Sequence, residues 1–260
     1  MSVVNWGLLY DFTIRDIKSK YRKSHLGMLW AVFTPLLTWG VYSLVFTSIL
    51  GLHKLPSVNA DASNYIFSLF VGLSVFFFFS EVLSASPSYI SSRPSFVKKV
   101  VFPINILIIS KVLSSAFGFL INIMLLFVFM FIFNQGVPLS SLLFPVVLIP
   151  ILLFIIGMAY ILASLGVFIP DISQFTNPLS RMLFYATPIV YPLTLLPELY
   201  QTLIWLNPMT SMVEPLRAIL INRTIPEWDQ LGLFMTAAVV VSLIGFFIFN
   251  RVKRGFADVL

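Results

Sequence analysis

Charged residues are missing from this chain over stretches whose length only a lipid bilayer explains. Residues 26–52, 62–80, 112–170 and 230–250 contain no Asp, Glu, Lys or Arg, and each exceeds the roughly 18 apolar residues that mark a membrane-spanning helix. The third stretch has room for two spans, divided by the turn residues Asn134, Gln135, Gly136, Val137 and Pro138. The pattern predicts span 1 at residues 27–50, span 2 at 65–84, span 3 at 106–133, span 4 at 141–168 and span 6 at 231–249. Span 5, at 179–191, is short and carries Pro188. Ahead of span 1, residues 4–24 form an amphipathic pattern. At about 100° per residue, Trp6, Leu9, Tyr10, Thr13, Ile14, Ile17 and Tyr21 share one arc, and Asp11, Arg15, Lys18 and Arg22 lie opposite. That pattern predicts a helix lying in the membrane interface, aromatic side down. Asp16 and Lys20 sit at the edges of the apolar arc and fit it poorly.

Residues 192–229 do not read as a span. They are fairly apolar but contain Pro192, Pro197, Pro208, Pro215 and Pro226, together with Glu198, Glu214, Arg217 and Arg223. Either the chain crosses a seventh time here, or it dips in and returns to the same side. The basic residues decide between these. With six spans and a cytoplasmic N-terminus, the inside receives Arg15, Lys18, Lys20, Arg22, Lys23, Arg93, Lys98, Lys99, Lys111, Arg181, Arg251, Lys253 and Arg254, and the outside only Lys54, Arg217 and Arg223. This obeys the positive-inside rule, whereas a seventh crossing would put the C-terminal cluster outside. Residues 192–229 are therefore expected to be re-entrant. Broken helix at membrane depth survives only inside protein or beside water, so this segment is a candidate external gate.

Composition narrows the function. Only 10% of the 260 residues are charged and 59% are hydrophobic, against about 25% charged in soluble domains. A single all-α integral membrane domain over residues 1–260 is expected, with no block left for a soluble catalytic domain. The first 25 residues lack an uninterrupted apolar core, so no secretory signal is expected. The net charge of +6 is explained by topology, so no nucleic-acid partner is expected. The chain has no Cys, and its two His residues, His25 and His53, fall on opposite sides of the predicted membrane. No metal site or acid/base constellation is expected. Spans 1, 3, 4 and 6 hold no ionisable residue at their centres, which argues against an ion-coupled transporter.

Five strings, in order, carry a resemblance to a known family. The first runs from Arg15 to Trp30 through Ser24, His25, Leu26 and Gly27, followed by Pro35, Leu36 and Leu37. The second is Lys98, Lys99, Val100, Val101, Phe102, Pro103 before span 3, and the third Phe168, Ile169, Pro170, Asp171, Ile172 after span 4. The fourth is Thr187, Pro188, Ile189, Val190, Tyr191, Pro192. The fifth comprises Leu196, Pro197, then Asn207, Pro208, Met209, and Arg217. Together they resemble ABC-2-type permeases, in particular the branch that exports O-antigen and other polysaccharides. Two positions depart from that family: Pro170 stands where an Arg usually precedes the loop Asp, and Asn105 where an acidic residue often follows Phe-Pro.

The resemblance implies a homodimer of six-span permeases, docked on two copies of a separate ATP-binding cassette subunit. Such a complex would move a polyprenyl-pyrophosphate-linked glycan across a bacterial cytoplasmic membrane, both termini being cytoplasmic. The chain contains no G-x-x-x-x-G-K-[ST] loop, so ATP and Mg are expected on the partner and no cofactor on this chain. Spans 1 and 5 line the path in that family, which makes Phe33, Trp39, Tyr42, Phe184, Tyr185 and Tyr191 candidates for stacking on sugar rings. Asn207, Pro208, Met209, Glu214 and Arg217 are candidates for the external gate. Arg93, Lys98 and Lys99, on a short helix expected to start at Ser86 and Pro87, and Asp171 and Gln174, in the loop after span 4, are candidates for docking the ATPase. Glu214 and Arg217 stand one turn apart and are also expected to pair. A small drug-like or lipo-oligosaccharide cargo is the alternative within the superfamily.

Overall fold

A computed structural model describes residues 6–22, 24–51, 62–98, 102–191, 197, 200 and 204–260. The described elements are helical: α1 (Trp6–Tyr21), α2 (Trp30–Ser43, continued as a π-helical stretch Leu44–Ile49), α3 (Ala62–Tyr89), α4 (Pro94–Val97), α5 (Asn105–Ile132), α6 (Phe144–Phe168), α7 (Ile172–Ala186), α8 (Pro208–Leu220), α9 (Trp228–Val252) and α10 (Phe256–Val259). Among the described residues five helices are long and apolar enough to cross a membrane: Gly27–Ile49, Ser63–Tyr89, Asn105–Ile132, Leu139–Phe168 and Trp228–Val259. They coincide with predicted spans 1, 2, 3, 4 and 6, and they make the chain an integral membrane protein.

Span 5 departs from its predicted bounds. The helix in that place, α7, runs Ile172–Ala186 and takes in most of what reads as a connecting loop at residues 169–180. It stops where Thr187 turns extended (φ −106°, ψ 141°), because the residue before a proline is driven out of the helical region. At 15 residues, α7 is about 22 Å long. A second correction concerns Ser86 and Pro87, which do not start a helix. Both lie inside α3, where Ser86 Oγ donates back to the Val82 carbonyl at 2.6 Å rather than capping forward. The short helix starts seven residues later, at Pro94, with Arg93 in the N-cap position.

The third correction is the rotation of α1. Its buried residues are Leu9, Phe12, Asp16 and Ile17, while Trp6 and Tyr10 remain exposed. The helix thus turns Phe12 and Asp16 towards the bundle, where it lies along α5, and leaves part of its aromatic arc outside. Gly27, at φ +51°, makes the reversal into α2, a left-handed conformation that glycine adopts without steric cost.

α3 is the central helix, packed against α2, α5, α6, α7 and α8, while α6 and α9 form the tightest pair. Without a hydrophobic force between helices in lipid, close backbone approach through small residues supplies the packing. A Cβ on Gly157 of α6 would lie 2.6 Å from the backbone nitrogen of Ser242 on α9, and Gly245 of α9 faces the Gly157 backbone in return. One crossing over, a Cβ on Gly166 would lie 2.5 Å from Pro87 Cα of α3. Gly157→Val should therefore wedge α6 from α9 and cost at least about 1–3 kcal/mol. Heating in detergent, followed by size-exclusion chromatography, should show a clear loss of thermal stability. Gly232→Ala, whose Cβ would meet nothing within 4 Å, should lose none.

Candidate coupling face and export path

At one end of the bundle, two charge clusters clip α1 to the spans. Glu81, on α3, receives Lys20 Nζ from α1 at 2.8 Å on one oxygen. Its other oxygen receives Lys111 Nζ of α5 at 2.8 Å and Ser115 Oγ of α5 at 3.0 Å. The second cluster is built on Asp16, which is 8% exposed. It accepts from the Tyr89 hydroxyl at the end of α3 and pairs with Arg93 at 3.3 Å. The Arg93 guanidinium lies 3.8 Å from the centre of the Tyr89 ring, and a partly desolvated cation over an aromatic face is held more firmly than an exposed one.

Apolar contacts follow the same path. Phe12 of α1 meets Phe96 of α4 with ring centres 5.3 Å apart and Phe102 at 5.3 Å, while Arg15 lies 4.3 Å over the Phe12 ring. At this end α10 joins in: Phe256 packs on Phe168, the last residue of α6, at 5.8 Å, and α10 touches α4. Lys98, Asp171 and Gln174 are exposed, and these contacts bring their elements to one end of the bundle. Lys99 lies outside the described residues, as do residues 192–196, 198–199 and 201–203 of the expected re-entrant segment.

The other end is organised by Arg217, in α8. The side chain is 6% exposed and its donors are used in several directions. Nη1 donates to the Pro188 carbonyl at 2.6 Å and to Glu214 at 2.8 Å, Nη2 to the Ile189 carbonyl at 2.7 Å, and Nε to the Ser68 carbonyl of α3 at 3.2 Å. Gly72 leaves room for it, since a Cβ there would stand 3.1 Å from Nη2. The expected Glu214 pair is present, and Arg217 also holds the carbonyls freed where α7 ends. Asn207 closes the same corner: its side chain caps α8 by accepting from Met209 N at 3.0 Å, with Nδ2 donating to Ala186 O at 3.1 Å and Thr187 Oγ1 at 2.9 Å. Pro208 opens α8 at its first position, a favoured place for proline, and Met209 is buried. At its far end Ser140 Oγ reaches the Ile219 carbonyl at 2.6 Å, and Arg223 bonds the Gln135 carbonyl. All these partners belong to one end of the bundle.

The family assignment follows from sequence comparison over the whole length of this arrangement. Residues 9–221 match the model of the ABC-2 type transporter family. The chain belongs to that family. It is 31% identical over 254 residues to the O-antigen export system permease protein RfbA of Myxococcus xanthus, covering 97% of this chain and 95% of that protein. A protein of the same name from Klebsiella pneumoniae is 28% identical, at 98% and 97% coverage. The polysialic acid transport protein KpsM of Escherichia coli is 26% identical, at 89% and 88%.

Within this ABC-2 transporter the path candidates separate into two sets. Trp39 is 2% exposed and stacked on Phe70 at 4.4 Å, so within one copy it is a core residue of the α2–α3 contact. Phe184 is buried as well, edge-on to Phe76 at 4.9 Å and to Tyr42 at 6.0 Å. Phe33 and Tyr185 are open, at 45% and 73% exposure. Tyr191 is half-buried, its hydroxyl donating to Tyr185 O at 3.0 Å. The sequence pattern missed the two clusters on Asp16 and Glu81, although it marked Asp16 and Lys20 as misfits in the apolar arc.

Arg217→Ala removes the guanidinium donors that hold the Pro188, Ile189 and Ser68 carbonyls and strips Glu214 of its partner. It should cost about 3–5 kcal/mol, as removal of one member of a buried pair does. Arg217→Lys should recover only part, because an ammonium lacks the planar fork that meets several carbonyls. The yield of monodisperse folded protein checks both.

Proposed function

We propose that this chain is the membrane-spanning subunit of an ATP-driven exporter that moves a surface polysaccharide, carried on a polyprenyl-pyrophosphate lipid, across a bacterial cytoplasmic membrane. The observation that carries the reading is the near full-length similarity to O-antigen and polysialic acid export proteins. Two copies of the chain pair with two copies of a separate ATP-binding subunit. The end with α1, α4 and α10 faces the cytoplasm, a reading supported by the basic residues of α1, Arg93, Lys98 and the Arg251 to Arg254 cluster under the positive-inside rule. α7 is the sixth crossing. Its length falls short of a bilayer core near 30 Å, but the residues before and after it lengthen the passage.

The mechanism follows from the two ends. The ATP-binding subunit grips Lys98, Lys99, Asp171 and Gln174. Closure of that subunit moves α4, and the Arg93 to Asp16 pair with the Phe96 to Phe12 contact passes the motion to α1. From there the Glu81 junction reaches α3 and α5. The exposed side of α7 carries Asn177, Arg181 and Tyr185 on successive turns. Polar groups of this kind do not face acyl chains, so that side borders a watery path shared between two copies. Tyr185 and Phe33 supply flat apolar faces to sugar rings, and α8 with Asn207 and Arg217 forms the rigid outer rim.

A strain lacking this chain should accumulate the lipid-linked polymer inside and lose it from the surface; unchanged surface polysaccharide would overturn the assignment. Tyr185→Ala should slow export several-fold at unchanged folded yield, measured by the appearance of polymer outside cells.

A further inference from the structure

The outward face of α9 runs into two arginines at one end of the bundle. Leu233, Val240, Leu243 and Phe247, at 53–74% exposure, are spaced along the helix so that they fall on one stripe. Arg251 continues the stripe, and Arg254 follows in the next turn. Residues 230–250 carry no charge, so the change from apolar to cationic is abrupt. Trp228, 54% exposed, opens the helix and marks the opposite interface, where aromatic anchors collect. Trp228 and Arg251 stand about 35 Å apart along the axis, a little more than the hydrocarbon core of about 30 Å. The two arginines therefore lie where acyl chains give way to headgroups.

Phe247, Asn250, Arg251 and Arg254 line a hollow of ≈ 350 Å³ there. Both arginines are exposed, and neither makes an ion pair or a hydrogen bond among the described residues. The floor is fixed from behind. Asn250 Nδ2 donates to the Phe246 carbonyl at 2.9 Å, and its Oδ1 accepts from Lys253 Nζ at 2.6 Å and from Asn105 Nδ2 of α5 at 3.4 Å. Phe249 is fully buried, with its ring 5.0 Å from Tyr160 of α6 and 5.6 Å from Phe256. Lys253 adds a third positive charge beside the pair. A planar guanidinium meets phosphate oxygens with two parallel N–H donors, and here two such forks are free. A second copy of the chain does not fit this face. A two-fold axis across the membrane would set its Arg251 and Arg254 against these at the same depth, and like charges repel. An acidic protein surface would answer the arginines but not the stripe, which lies within the hydrocarbon.

We propose that the hollow holds the phosphate of one anionic phospholipid, gripped by Arg251 and Arg254, with an acyl chain laid along Phe247, Leu243 and Val240. The lipid fixes the height of α9, and of the α6–α9 pair, in the leaflet at that end of the bundle. The inference is independent of the exported cargo, and the orientation proposed above enters only in naming that leaflet cytoplasmic.

The test uses the purified full chain, delipidated by detergent exchange and titrated in native mass spectrometry. The probes are dioleoyl phosphatidylglycerol, dioleoyl phosphatidylcholine and inorganic phosphate. Phosphatidylglycerol should be retained more tightly than phosphatidylcholine, whose choline cation cancels the phosphate charge. Inorganic phosphate in excess should not displace it, having no chain to lie on the stripe. Arg251→Gln and Arg254→Gln should each weaken retention about five-fold, the share of one basic residue at a membrane surface. Arg223→Gln, which removes a positive charge at the other end of the bundle, should leave retention unchanged. Equal retention of the two lipids, displacement by inorganic phosphate, or an equal loss in all three variants would overturn the proposal. So would undiminished retention by a folded Arg251→Gln, Arg254→Gln double variant. The comparison of the two lipids needs no substitution, so equal retention overturns the proposal even if the variants fail to fold.

Discussion

An ionised group near the hydrocarbon core has to be met by an opposite charge or by hydrogen bonds, and the Glu81 junction is where this chain satisfies that demand for three helices at once. Burial of a lone carboxylate is costly, and the cost is recovered only when its oxygens are all engaged. Lys20, Lys111 and Ser115 do this from α1 and α5. Because the partners come from two separate helices, α1 and α5, the junction fixes where α1 lies against the bundle. The Asp16 cluster then lies within reach of Tyr89 and Arg93, and α4 is tied to α1 by the neighbouring Phe12, Phe96 and Phe102 rings.

The opposite end applies the same principle with one cation. Arg217 serves the carbonyls that Pro188 and the extended Thr187 leave without helical partners, so the break in the chain after α7 becomes a stiff corner. Between the two ends, glycine contacts hold α6 to α9 and α3 and make one side of the bundle rigid. Span 1 lacks such contacts, and much of its surface remains open. The tight contacts at α3, α6 and α9 thus stand beside the more open faces of α2 and α7.

The long spans were legible because hydropathy over about 20 residues is a signal no tertiary contact reverses. Their predicted bounds match the helices within a few residues, save where proline misled. Pro87 and Pro178 lie inside helices α3 and α7, since neighbouring helices in a membrane re-satisfy the carbonyls a proline frees. The family and its strings were legible too, being a matter of residue order. The charge junctions were not. Pairing Lys20 with Glu81 spans 61 positions, and periodicity within one helix carries no information about a partner so distant. The signal that was present, Asp16 and Lys20 spoiling an otherwise apolar arc, marks the face that docks. Likewise, nothing in the pattern of span 1 separates Trp39, packed on Phe70, from exposed Phe33.

In the proposed cycle, α1 and the α4 segment are clipped together and move as one unit when the ATP-binding subunit closes. The chain contains no Cys, so the Asp16→Cys, Arg93→Cys double variant can be joined by a short bifunctional thiol reagent in an otherwise unreactive background. Polymer export by cells expressing the joined protein with its ATP-binding subunit should recover once the link replaces the lost ion pair, rising above that of the unlinked double variant. Export that stops on linking would mean that α1 and α4 must part during the cycle and do not move as one unit.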